Sequence, residues 1–65
     1  MIIRVNGEDR ETESKTIRDL VQELGLPEKA LLIEQNGTAL RPADWPASRL
    51  SDSDRIEFIR IVAGG

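Results

Sequence analysis

Apolar Met1, Ile3 and Val5 alternate with Arg4 and Asn6, the period-two pattern of a strand with one covered face. Asn6-Gly7 follows, a type I′ hairpin signal, because both central turn positions need a positive φ that Asn and Gly tolerate. The polar stretch Glu8 to Glu13 predicts a second strand, charged throughout, as suits a sheet edge that must refuse foreign strands. That role accounts for Glu8, Asp9, Glu11 and Glu13 without any metal. At Thr16 the period changes: Ile17, Leu20, Val21 and Leu24 fall at i, i+3, i+4 and i+7, one apolar stripe of a short helix. Thr16 with Asp19 three residues later forms a capping box, Gly25 stands at the C-cap, and Pro27 blocks resumption, so the helix runs from Thr16 to Leu24.

The continuous apolar run within Ala30 to Gln35 predicts a buried strand, and Asn36-Gly37 is a second hairpin signal leading into Thr38 to Leu40. Arg41 to Pro46 carries prolines that forbid a regular element, leaving an irregular segment or a short helical turn. Ser51 to Asp54 is a polar turn, and the β-branched and aromatic content of Arg55 to Val62 predicts the last strand. The order ββαββ-turn-β has one helix with one apolar stripe, which is satisfied by laying it across one face of a single sheet of about five strands. This is an α+β pattern, and the arrangement is that of a β-grasp fold, with a mixed sheet and one main helix across one face. Residues 1–65 read as one domain, with no repeat, linker or low-complexity segment.

Composition narrows the function. A chain of 65 residues has little interior to spare for an enclosed active site. His, Cys and Tyr are all absent, which removes the usual general base, thiolate nucleophile and soft metal ligands. The sequence therefore reads as a protein acted upon, not an enzyme, with no bound cofactor or metal. A net charge of −3 argues against nucleic acid or an anionic membrane as partner and favours a basic protein surface. The start lacks a signal-peptide core and no segment approaches the ~20 apolar residues of a membrane span, so the expected location is the cytoplasm.

The sequence closes on Ile61-Val62-Ala63-Gly64-Gly65. Gly-Gly is the thinnest peptide available and reaches dihedrals closed to other residues, so it can be fed into a narrow cleft. From Val62 onward, four extended residues reach at most ~14 Å, enough to carry a terminal carboxyl into a partner's pocket. A frayed end is the ordinary alternative. In the strand before it, Ile56, Phe58 and Val62 share one face, while Ile59 and Ile61 share the other with Arg55 and Glu57. One helix cannot cover both faces. Ile59 and Ile61, flanked by Arg60, would then form an apolar docking patch, unless a β-bulge near Arg60 turns them inward. Trp45 could anchor a partner, but capping the open end of a small core is the more usual role. Arg41 could steer an acidic partner loop, though an arginine beside proline is usually solvated or tied to a carbonyl.

These residues resemble the sulfur-carrier branch of the ubiquitin-like β-grasp proteins, and most closely the ThiS family of thiamine biosynthesis. The resemblance spans the whole chain. It rests on the opening strand to Asn6-Gly7, the Thr16-Ile17-Arg18-Asp19-Leu20 helix start, Asn36, Arg41-x-x-x-Trp45, Asp52-x-Asp54-x-Ile56 and the closing Val62-Ala63-Gly64-Gly65. It implies that an E1-like activating enzyme of the ThiF type, using ATP, adenylates Gly65, and that a persulfide donor converts the acyl-adenylate to a thiocarboxylate. The sulfur would pass to the thiazole ring at a ThiG-type thiazole synthase, with Val62, Ala63 and Gly64 threaded into the partner. Two departures from the family pattern are Gln35 before Asn36, and Ser53 between Asp52 and Asp54, where glycine is usual and a changed turn is expected.

Three other readings use the same features. A carrier for molybdopterin or another sulfur product would look similar, although the Arg41 to Trp45 pattern and the short length favour thiamine. A ubiquitin-like modifier could use the same activated carboxyl on target lysines. A plain interaction module with incidental glycines is also compatible, since fold alone licenses no function.

Overall fold

In the computed structural model, which describes residues 1–60, the chain forms β1 (Ile2–Val5), β2 (Glu8–Glu11), α1 (Ile17–Leu24), β3 (Leu31–Gln35), β4 (Thr38–Leu40), a 3₁₀ helix (Pro42–Ala47) and β5 (Arg55–Arg60). The five strands make one sheet in the order β2-β1-β5-β3-β4. β1 and β5 run parallel and all other neighbours antiparallel. The expected edge strand β2 is fully exposed at one margin.

Both Asn-Gly hairpins have the predicted chemistry: φ is 49 and 84 at Asn6 and Gly7, and 52 and 86 at Asn36 and Gly37, so both turn positions are left-handed. The helix is bounded as its sequence dictates. Thr16 accepts from the Asp19 N–H, and the Asp19 carboxylate accepts from the Thr16 N–H. At the other end Gly25 adopts φ 65, with the Gly25 N–H on the Gln22 carbonyl and the Leu26 N–H on the Val21 carbonyl, the paired bonds of a Schellman ending.

Ile17, Leu20 and Val21 of α1 bury against Ile3, Leu31, Ile33 and Ile56 of the sheet, with Leu50 and Trp45 completing the core. Trp45, 2% exposed, therefore takes the core role, delivered by the 3₁₀ helix packed beside α1. Its Nε1–H is buried without a hydrogen-bond partner among the described residues.

Three expectations need correction. The run at Leu31 to Ile33 is not covered on both faces: Leu31 and Ile33 are buried but Leu32 is 46% exposed, because α1 covers only one side of the sheet. Ala30 precedes the strand in a left-handed conformation, φ 60. The turn at residue 53 does not abandon the conformation that glycine serves. Ser53 adopts φ 71, so the substitution is borne as local strain.

Candidate functional site

Strand alternation decides what the uncovered face of the sheet presents. On β5, Ile56 is fully buried while Arg55, Glu57 and Ile59 point away from the helix and are exposed. The register Leu31↔Arg60, Leu32↔Ile59 and Ile33↔Phe58 is continuous, so no bulge turns Ile59 inward. Ile59, 48% exposed, stands directly opposite Leu32, and the two form an apolar pair on the outer face. Leu32 was not a candidate from the sequence. The signal was present, since one helix can no more cover both faces of β3 than of β5. Arg60 is exposed at the end of β5, but it stands opposite buried Leu31 and so alternates to the helix side, not to the face that carries Ile59. Ile61, Val62, Ala63, Gly64 and Gly65 lie outside the described residues, so the expected tail and the last part of the predicted strand lie there too.

Polar side chains hold β5 in place. β1 ends at Val5, and where its ladder would continue, the Asn6 Oδ1 accepts from the Phe58 N–H at 2.8 Å. Asn36 Oδ1 accepts from the Arg55 N–H at 2.8 Å, while its Nδ2 donates to Asp54 Oδ1 at 2.9 Å. The other Asp54 oxygen accepts from Gln35 Nε2 at 3.0 Å and the Ser51 N–H at 2.8 Å. Partial burial pushes the Asp54 carboxyl up, but the hydrogen bonds from Asn36, Ser51 and Gln35 together outweigh it and hold its pKa below the usual value. Asp52 Oδ1 accepts from the Ile2 N–H at 2.9 Å, tying β1 to the same turn. Asn36, Asp52 and Asp54 thus position β5, and Gln35 has a definite task in that network.

The Arg41 to Trp45 pattern divides likewise. Arg41 pairs with Asp44 at 3.3 Å and its backbone N–H donates to the same carboxylate, closing the 3₁₀ turn that seats Trp45. The Arg41 guanidinium beside it holds the Asp44 carboxyl below its ordinary range. On the far side of the molecule, the Glu23 carboxylate accepts from Ser14 Oγ and Thr12 Oγ1, both at 2.6 Å, and from Arg10 at 3.1 Å. The Ser14 and Thr12 hydroxyls do most to lower its pKa. This network explains why Thr12 is buried.

Among the described residues there is no cluster of three or more potential metal ligands. No helix among the described residues is long and apolar enough to cross a membrane. On the outer face, an open hollow of about 310 Å³ is lined by Ile2, Ile3, Arg4, Asp9, Ser53 and Arg55.

The ThiS family model matches residues 3–65. The chain belongs to the ThiS family. It is 30% identical over 64 residues to the sulfur carrier protein ThiS of Thermus thermophilus, covering 98% of this chain and all of that one. It is also 27% identical over 66 residues to a thiazole synthase of Paramagnetospirillum magneticum; that match takes in all of this chain but only 20% of the synthase. The crystal structure of ThiS from Geobacter metallireducens covers the whole of both chains with a TM-score of 0.86 at 25% identity. The mixed five-stranded sheet with one helix on one face is the β-grasp arrangement of the ThiS structures.

Proposed function

We propose that this chain is a sulfur carrier protein of thiamine biosynthesis, serving as a co-substrate and not as a catalyst. The observation that carries the reading is the family match running through residue 65, together with full-length similarity to a ThiS sulfur carrier. Residues 1–65 act as one cytoplasmic carrier domain that binds no cofactor of its own. A carboxylate near pKa ~3.5 is an anion at neutral pH and repels nucleophiles, so it must first gain a leaving group. The Gly65 carboxylate attacks the α-phosphorus of ATP on a ThiF-type, E1-like enzyme, releasing pyrophosphate and leaving an acyl-adenylate. The terminal sulfur of a donor persulfide displaces AMP, and a thiol that cleaves the remaining S–S bond frees the thiocarboxylate.

Gly64, Ala63 and Val62 form the threaded segment, and Ile59, Ile61 and Arg60 dock the activating enzyme. A ThiG-type thiazole synthase receives the sulfur. The resemblance of the whole chain to one fifth of a thiazole synthase supports that partner.

Incubation of the purified chain with ATP, the ThiF-type enzyme of the same genome and a persulfide donor should yield an acyl-adenylate at Gly65. A mass gain from replacement of one oxygen by sulfur should follow. Deleting Gly65 should abolish both. Activation that survives the deletion overturns the reading, and isolation of lysine conjugates from the source organism would make the chain a modifier.

A further inference from the structure

The outer face of the sheet breaks a stability rule twice. In the parallel β1–β5 pair Arg4 lies beside Arg55, and in the antiparallel β3–β5 pair Glu34 lies directly opposite Glu57. All four alternate away from the helix, flanked by buried Ile3, Ile33 and Ile56. Like charges opposite each other on one face destabilise a sheet, whereas exchanging one member of each row would create two cross-strand ion pairs. Arg4 has one acidic neighbour, Asp9 at 3.3 Å. Among the described residues, no ion pair is formed by Arg55, Glu34 or Glu57. Sites where a local stability rule fails are where function is expected to reside, and only the arginine row is offset here, by Asp9.

The rows are ordered. Moving along β5 toward the tail, the face presents Arg4 and Arg55, then Glu57 and Glu34, then Ile59 and Leu32. Successive rows are two residues apart, about 7 Å at strand geometry. The open hollow of about 310 Å³ beside Arg4 and Arg55 has room for a carboxylate side chain.

We propose that these rows are a polarity key for the activating enzyme, whose docking surface carries an acidic, then a basic, then an apolar group at about 7 Å intervals. Charge complementarity selects the occupant: Asp9 offsets Arg4 in part, whereas Arg55, Glu34 and Glu57 gain a partner from a surface of the opposite sign laid across the rows. The asymmetry from basic end to apolar end allows one orientation, which turns the Arg60 end of β5 toward the enzyme's reaction site. This rests on the sulfur-carrier reading above. Because Arg4, Arg55 and Glu57 are exposed and Glu34 is half-exposed, the contribution should weaken with added salt.

The test is Glu34→Lys with the milder Glu34→Gln, each compared with the unmodified chain in three measurements. These are melting temperature, calorimetric binding to the ThiF-type enzyme of the same genome, and carrier-dependent pyrophosphate exchange. The lysine variant should melt about 2 °C higher, because it turns the Glu34–Glu57 repulsion into an attraction. Its Kd and KM should rise at least about tenfold with kcat unchanged, and this penalty should shrink at high salt. The glutamine variant should fall between. Opposite signs for stability and docking are what a purely structural role does not produce. A lower melting temperature in both variants, a Kd within about twofold of the unmodified chain, or no binding of the unmodified chain overturns the key. Normal binding without pyrophosphate exchange would instead refute activation at Gly65 and leave the key standing on its binding data.

Discussion

The two faces of this sheet are built from the same strands one residue out of step, and they obey different rules. Toward α1, the sheet presents Ile3, Leu31, Ile33 and Ile56, all buried in one cluster. Away from it, the same strands present like-charged rows and an apolar pair about half exposed. The inner face is what a small domain needs to stay folded. On the outer face the Arg4–Arg55 and Glu34–Glu57 pairings give up stability that an exchange of partners would recover.

Two neighbouring isoleucines of β5 give the sharpest contrast. Ile56→Ala should cost about 2–5 kcal/mol, because a fully buried side chain leaves a cavity, and urea titration would measure it. Ile59→Glu should shift the same titration by less than about 1 kcal/mol while weakening adenylation. Loss of folding in the Ile59 variant would erase the distinction and remove the docking role.

A smaller effect should come from the polar network that supports both faces at the start of β5. Asp54→Ala should cost about 1–3 kcal/mol, since it removes a charged acceptor shared by the Ser51 N–H and the Asn36 and Gln35 amides, of which Gln35 keeps the Arg49 carbonyl. The Asp54 and Glu23 pKa values are both lowered on folding. Their contribution to stability is therefore complete above their ordinary values of 3.8 and 4.5, and is lost as pH falls through and below that range. Thermal melts as a function of pH should show this decline, and Asp54→Ala should make it shallower. A profile that stays flat down to pH 3 would mean that the network is not formed in solution.

The smallest effect belongs to the turn. Ser53→Gly should stabilise the chain by about 0.5 kcal/mol, as relief of a left-handed φ of 71 is partly offset by the flexibility of glycine in the unfolded state. A melting temperature that falls would show that the serine is held there by something other than strain.

The sequence by itself determined the elements whose cause lies within a few neighbouring residues. The helix between Thr16 and Gly25, the two Asn-Gly hairpins, the charged edge strand and the outward Ile59 were all legible. Capping, turn dihedrals and periodicity act over one or two turns of chain. Trp45 was legible as a core residue, but only as the commoner of two roles. Strand order, the parallel pairing of β1 with β5, the exposure of Leu32 and the burial of Thr12 under Glu23 were decided by tertiary structure. So were the clasp of Asn36, Asp54 and Gln35 and the alignment of arginine beside arginine and glutamate beside glutamate. Each of these depends on which distant segments become neighbours and in what register. A single sheet covered by one helix settles that only when every strand is in place, because a one-residue slip would carry each side chain to the opposite face.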